Sequence, residues 1–374
     1  MLCRICGGKL TKQLGLDNVP KAAQWFPLTR EESVSSGCSL DIHLCTDCGL
    51  VQHIGETVPY YRDVIRATAY SQEMRQFRAD QLADFVDKYS LSGKTALEVG
   101  CGKGEYLELI KEAGLNAVGI ESNSYNAGRC HELGFNVARG YLAELTELNT
   151  LPICDVFFSF NYFEHLPDLR LVLRKLRMLL TPNAIGVVEV PNFDMIIREN
   201  MLSELIPDHL YYFTKETLEN VLRMNGFAVE DCNAIWHDYI LSAVVRPRQP
   251  PDLMCLSQFR NNLNASFRAF TDKLAGKHLA IWGAGHQSLT ALALCDKDIV
   301  NRYSFIVDSA PFKQNRFAPV TALPIVSPDV FHNSPIDAVL VIAAAYSNEI
   351  AASVRAASNG ITIGILRNTE IDLV

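Results

Sequence analysis

Leu97-Glu98-Val99-Gly100-Cys101-Gly102-Lys103-Gly104 is the stretch that decides the fold of this chain. An apolar run over 95–99 stops at closely spaced glycines, and apolar residues with helical spacing follow. Strand, tight loop and helix are therefore expected in that order. Glycine lets the backbone pass close to a ligand, and the first turn of the helix offers unpaired N–H groups. The spacing is G-x-G-x-G, not the G-x-G-x-x-G that suits a pyrophosphate. Glu98 repels phosphate but suits an ammonium group such as that of S-adenosylmethionine. The next strand ends at Glu121, where a carboxylate can accept both ribose hydroxyls. A strand over 155–160 ends at Asn161, again at the carboxyl edge where such sheets bind ligands. Glu98, Gly100, Gly102, Gly104, Glu121 and Asn161 thus form the expected cofactor site. An ordinary tight turn is the competing reading.

Outward from this point, strands and helices alternate. Helices are expected over 104–113, 125–133, 169–180 and 215–225. Strands are expected over 117–121, 184–190, 228–233 and 239–245. That order predicts an α/β fold with a mostly parallel sheet covered by helices on both faces. Arg246-Pro-Arg-Gln-Pro-Pro251 reads as a linker. A helix over 256–274 follows, and a second α/β series begins at 278–282. Its turn, Gly283-Ala-Gly285, precedes a strand ending at Asp308. The missing third glycine favours a degenerate Rossmann-like scaffold over an active dinucleotide site.

The first 48 residues hold two C-x-x-C knuckles, Cys3/Cys6 and Cys45/Cys48, each followed by glycine. Each turn aims two thiolates at one point, and two turns make a closed four-cysteine site of the structural zinc type. Disulfides or a redox dithiol are the alternatives, and disulfides need an oxidising compartment. The expected domains are a zinc-binding lobe over 1–56, a cofactor-binding domain over 57–246 and a C-terminal domain over 255–374.

The chain has 374 residues and a net charge of −8, which argues against nucleic-acid or anionic-membrane partners. No stretch is long and apolar enough to span a membrane. Met1-Leu2-Cys3-Arg4 lacks the features of a signal peptide, so a cytoplasmic setting is expected.

Two histidines lie in turn-like contexts at the same sheet edge. His165 follows the 155–160 strand in Asn161-Tyr-Phe-Glu-His165-Leu-Pro167. His209 precedes a helix in Ile206-Pro-Asp-His209-Leu-Tyr-Tyr-Phe213. Packing or capping is the ordinary role of a single histidine, but two at a cofactor edge point to acid–base chemistry. Asp208 beside His209 is a candidate to raise imidazole basicity.

These motifs, with Asp308-Ser-Ala-Pro-Phe-Lys-Gln-Asn-Arg-Phe-Ala-Pro319, resemble the three-domain sugar C-methyltransferases. That family methylates C-3 of nucleotide-linked 4-keto-deoxysugars. The resemblance implies a class I methyltransferase Rossmann-like sheet, an N-terminal zinc-binding lobe and a C-terminal Rossmann-like domain. It aligns His209 with a proton-abstracting histidine, Asp208 with the acid before it, and His165 with the histidine of N-x-x-x-H-x-P. Tyr70 corresponds to a substrate-side tyrosine. The chain departs from the family pattern at Ile206, where a tyrosine is usual, and at His237-Asp-Tyr, where H-G-G is usual.

The expected chemistry is deprotonation alpha to a ketone by His209, with His165 or Tyr162 holding the enolate oxygen. Tyr70, Tyr162, His237, Lys313 and Arg316 are the candidate substrate contacts. Arginine offers paired hydrogen bonds to a diphosphate, although Lys313 and Arg316 equally fit a solvated loop. S-adenosylmethionine and structural zinc are the expected cofactors. The alternatives are an O- or N-methyltransferase on another small molecule and a non-catalytic cofactor-binding partner or sensor.

Overall fold

The computed structural model describes every residue except 24, 56, 59–70, 147, 149, 358 and 359, and at 332 and 333 the backbone alone. Tyr70 therefore lies outside the described residues. The chain divides into two compact units, Met1–Gln249 and Pro250–Val374. The division falls within the proline-rich segment 246–251.

In the first unit, β1 (Leu10–Pro20), β2 (Gly37–Cys45) and β3 (Val51–His53) form an antiparallel lobe. Then come β4 (Thr95–Val99), β5 (Asn116–Glu121), β6 (Asn136–Arg139), β7 (Cys154–Phe160) and β8 (Leu180–Pro191). After them lie β9 (Tyr211–Tyr212), β10 (Phe227–Ile235) and β11 (Ile240–Pro247). The main sheet has the order β10-β11-β8-β7-β4-β5-β6. Strands β4 to β8 run parallel to their neighbours, while β11 pairs antiparallel with both β8 and β10.

Alternate residues of a strand point to opposite faces. Leu97, Val99 and Phe157 enter the core on one face, and Ala96, Val156 and Phe158 enter the core on the other. Such double burial explains why these strands read as unbroken apolar runs. Helices Glu105–Glu112, Ser124–Glu132 and Leu169–Met178 make the crossovers. β5 continues on one side of β4 and β7 lies on the other. A crevice therefore opens beyond the carboxyl ends of β4 and β7, the topological switch point where open sheets bind ligands.

Three differences from the sequence expectation matter. β6 was not anticipated, because its four residues show neither a long apolar run nor clear alternation. β8 extends beyond 184–190 at both ends. The last strand begins at Ile240 and not at 239, because Trp236, His237 and Asp238 all take left-handed backbone angles and turn the chain.

β9 leaves the main sheet and becomes the edge strand of the lobe, in the order β1-β2-β3-β9. Val51 pairs with Tyr212 and Gln52 with Tyr211, and the His53 N–H donates to the Leu210 carbonyl at 3.0 Å. The cysteine lobe is thereby joined by a backbone ladder to the residues just after His209.

The second unit contains β12 (Leu279–Trp282), β13 (Tyr303–Val307), β14 (Arg316–Phe317) and β15 (Pro324–Val326). It ends with β16 (Ala338–Val341), β17 (Thr362–Arg367) and β18 (Glu370–Leu373). Its sheet order is β14-β15-β13-β12-β16-β17-β18, which places a switch point between β12 and β16. Among the described residues, no helix is long and apolar enough to cross a membrane.

Candidate active site and cysteine cluster

The loop after β4 is built to approach a ligand. Gly100, Gly102 and Gly104 have φ of 78°, 57° and 92°. A Cβ on Gly100 would lie 3.0 Å from the Tyr162 ring, so only glycine fits between that ring and the strand end. Gly104 caps helix Glu105–Glu112 without any side-chain hydrogen bond, which leaves first-turn N–H groups for a ligand. Glu98 is buried beneath the loop at 1 % exposure. Glu121 closes β5, accepting from the Gly102 N–H at Oε2 and from the Asn123 N–H at Oε1, both at 2.8 Å. Asn161 follows β7 with φ of 47° and donates its N–H to the Glu189 carbonyl. The cradle and the acids at two strand ends fit the amino-acid and ribose ends of S-adenosylmethionine.

Beyond Asn161 and Tyr162, a single 3₁₀ turn (Phe163–His165) carries Glu164 and His165. His165 Nδ1 lies 2.9 Å from the Asp208 carbonyl oxygen, and the ring centroids of His165 and His209 are 4.9 Å apart. A carbonyl only accepts, so Nδ1 carries the hydrogen. In the neutral ring Nε2 is then an acceptor. This amends the expectation that His165 donates to an enolate oxygen, since neutral His165 has no second N–H to give.

Burial, followed by the charge of His165, pulls the His209 imidazole well below its ordinary range. Burial also lowers His165, against the carbonyl and charge of Asp208, which favour its protonated form. Both rings are therefore neutral near pH 7, and His209 retains some accessible surface. Asp208 supports His165 and not the ring adjacent to it in sequence, because its carboxylate turns away to accept the Ala23 N–H at 2.9 Å. His237 stands apart from the pair: its side chain is 73 % exposed on the left-handed turn, 3.4 Å from Glu73.

The four cysteine sulfurs converge, all lying within 4.8 Å of one another. Cys3 and Cys48 are 3.8 Å apart and Cys6 and Cys45 3.4 Å apart, distances that rule out S–S bonds here. Sulfurs about 2.3 Å from a tetrahedral ion stand roughly 3.8 Å from one another, so the cluster has the dimensions of a zinc site. Burial would push the Cys3 thiol up, but hydrogen bonds from the Cys6 and Ile5 backbone and from the Gln52 side chain bring it down to about 7. The Gln52 amide donates to Cys3 Sγ at 3.1 Å.

In the second unit, a cavity of about 450 Å³ opens at the β12/β16 switch, lined by Gly283, Gly285, Asp308, Lys313 and Tyr346 among others. Lys313 Nζ is 2.9 Å from Asp308 Oδ2. Arg316 lies on exposed β14 and is not part of this lining.

A methyltransferase-domain model matches residues 73–231, and a model of the C-methyltransferase C-terminal domain matches residues 256–363. The chain is 25 % identical to the C-methyltransferase NovU of Streptomyces niveus, covering 93 % of this chain and 90 % of that one. Over both matched regions the chain is similar to C-methyltransferases.

Two further likenesses accompany that match. Ubiquinone biosynthesis O-methyltransferase of Aeromonas salmonicida is 28 % identical over 39 % of this chain and 67 % of its own length. Magnesium protoporphyrin IX methyltransferase of Synechocystis, solved with bound SAH, superposes with a TM-score of 0.37, at 15 % identity over 47 % of this chain and 84 % of that one. The protein is an enzyme that uses S-adenosylmethionine.

Two features of this enzyme escaped the sequence reading. Glu164 is 1 % exposed, and its Oε2 has no hydrogen-bond partner among the described residues. Its signal was present: an acid between Phe163 and Leu166, in a segment otherwise suited to burial. The tie between the lobe and Asp208, Leu210 and Tyr211 had no local signal, since ladder partners far apart in sequence leave no pattern in either strand.

Proposed function

We propose that the enzyme C-methylates a nucleotide-linked keto-deoxysugar, with His209 as the base. The observation that carries this reading is the pair of neutral, face-to-edge histidines beside the cofactor loop, of which His209 keeps accessible surface. A hydrogen alpha to a ketone is acidic enough for a positioned imidazole to remove. The C–H electrons would move into the enolate and the proton to a His209 nitrogen, which leaves a nucleophilic carbon. S-adenosylmethionine supplies the electrophilic methyl group. His209 then releases its proton to solvent. Tyr162, packed on Gly100 at the cofactor loop, is the candidate to hold the enolate oxygen.

Taken by itself, the cavity of the second unit is of a size that suits a nucleotide. A diphosphate there would meet Lys313, whereas Arg316 is exposed and outside the lining. Zinc at Cys3, Cys6, Cys45 and Cys48 fixes the lobe that holds β9, and reduced cysteines suit a cytoplasmic setting. Elemental analysis should find one zinc per chain. Incubation with labelled S-adenosylmethionine and a panel of keto-sugar nucleotides tests the main reading. A new carbon-bound methyl signal in the product's NMR spectrum is expected. A methyl on oxygen would move the enzyme to the second reading, O-methylation, which the Aeromonas salmonicida relative's name favours.

A further inference from the structure

A donor count in the histidine cluster leads to a residue that neither motif nor family match assigns. One oxygen of Glu164, one nitrogen of His165 and one nitrogen of His209 lie within 4.8 Å of one another. Glu164 Oε1 is 3.8 Å from His165 Nε2. His165 spends its hydrogen on the Asp208 carbonyl, so Nε2 faces the cluster as a lone pair. The other polar groups nearby are committed elsewhere. Tyr212 donates its hydroxyl to the Ile206 carbonyl, and Tyr239 donates to Glu204. The Asp208 carboxylate is held by the Ala23 N–H. An ionised Glu164 would add a buried negative charge relieved by its own backbone N–H, with Oε2 left without a partner among the described residues. Neutral His209 brings one N–H of its own, a single donor set against the His165 lone pair and the two Glu164 oxygens; a protonated Glu164 adds a second. A buried carboxylate oxygen without a donor is costly, and protonation is the cheapest remedy.

We propose that Glu164 works as a neutral carboxylic acid, a hydrogen-bond donor of this cluster, and acts through His165 and His209. Both of its oxygens are buried, so it is a positioning residue and does not meet the substrate. Its effect is twofold. A neutral neighbour leaves His209 in the free-base form, because no carboxylate is present to draw a proton onto the rings. It also keeps negative charge away from the place where an enolate develops. Burial raises the Glu164 carboxyl to about 8, in agreement with the donor count. Among the described residues, the titratable groups near it are His165, His209 and Tyr239, with Asp208 behind His165 and Glu204 behind Tyr239; none of them is a lysine or arginine.

The inference rests on the base role of His209, so its test has one arm that needs no turnover. In the full-length protein with AdoHcy bound, infrared difference spectra should show a protonated-carboxyl stretch that titrates near pH 8 and is absent from Glu164→Gln. In the second arm, kcat with a keto-sugar nucleotide is followed against pH. Wild type should lose kcat as pH rises through about 8, when the carboxyl ionises. Glu164→Gln keeps a neutral donor, so this alkaline limb should vanish, with kcat lowered by about tenfold because an amide donates more weakly. Glu164→Ala should fall by more than about a hundredfold while AdoHcy affinity holds. A carboxylate signal already present at pH 6 overturns the inference, as does an alkaline limb that survives in Glu164→Gln. A divalent cation found bound between Glu164 and the histidines overturns it too. If wild type shows no turnover, the functional reading fails, while the infrared arm still decides the state of Glu164.

Discussion

The two glycine loops of this enzyme use the same backbone device with different charge. After β4, the Gly102 N–H donates to Glu121 at the end of the neighbouring strand, at 2.8 Å. After β12, the Ala284 N–H donates to Asp308 at the end of its neighbouring strand, also at 2.8 Å. In each case the other carboxylate oxygen accepts from the N–H two residues further on, Asn123 or Ala310. The difference comes five residues after the acid. Beyond Asp308 that position is Lys313, which reaches back to the carboxylate, whereas beyond Glu121 it is Asn126. Burial pushes the Asp308 carboxyl up, but Lys313 and the two N–H groups outweigh it and hold it below its usual range. An acid paired with lysine tolerates a phosphate ligand better than a carboxylate alone would. The two loops thus share one backbone geometry and differ in the side chain five positions beyond the acid.

The largest effect that would sharpen this contrast is structural. Gly283 has φ of 107°, and a Cβ there would lie 2.6 Å from the Ile342 carbonyl oxygen, whereas at Gly100 the obstacle is the Tyr162 side chain. Gly283→Ala should therefore cost the second unit about 2–4 kcal/mol in chemical denaturation. Gly100→Ala should chiefly lower S-adenosylmethionine affinity.

A smaller but cleaner division is expected from the acids. Glu121→Ala removes charge-assisted hydrogen bonds of about 1.5–3 kcal/mol, so calorimetry should show cofactor affinity falling roughly ten- to a hundredfold. Lys313→Ala should leave cofactor affinity intact and weaken the nucleotide acceptor about tenfold. Equal losses of cofactor affinity in both variants would erase the distinction between the loops.

A further effect, read as stability against pH, belongs to Glu164. Between about pH 4.5 and 8, the folded state holds a proton that the unfolded chain has released. Stability contributed by this group therefore falls as pH rises across that window. Glu164→Gln should gain on wild type from pH 4.5 upward, by a few kcal/mol at most near pH 8. Denaturation curves with a pH-independent difference would contradict the raised carboxyl.

The parts of the molecule legible in sequence were those written in local pattern. Strand β4 and its glycines, the acid of β5 and the two C-x-x-C turns each occupy a few consecutive residues whose types follow from backbone geometry. The course of β9 was illegible, because Tyr211 and Tyr212 pair with Gln52 and Val51 across more than half of the first unit. The role of Asp208 stayed open in sequence for a related reason: adjacency allowed it to support His209 or to point away, and the fold turns its carboxylate to Ala23 and its carbonyl to His165. His237, a candidate substrate contact by sequence, lies exposed on a turn of three consecutive left-handed residues.

The account turns on His209 removing a carbon-bound proton, and that step can be observed without methyl transfer. With AdoHcy in the cofactor site and a keto-sugar nucleotide in deuterated buffer, wild type should exchange the hydrogen alpha to the ketone. His209→Ala should lose that exchange by at least about 10²-fold while binding AdoHcy as before. Exchange at the wild-type rate in a folded His209→Ala variant would contradict the account directly.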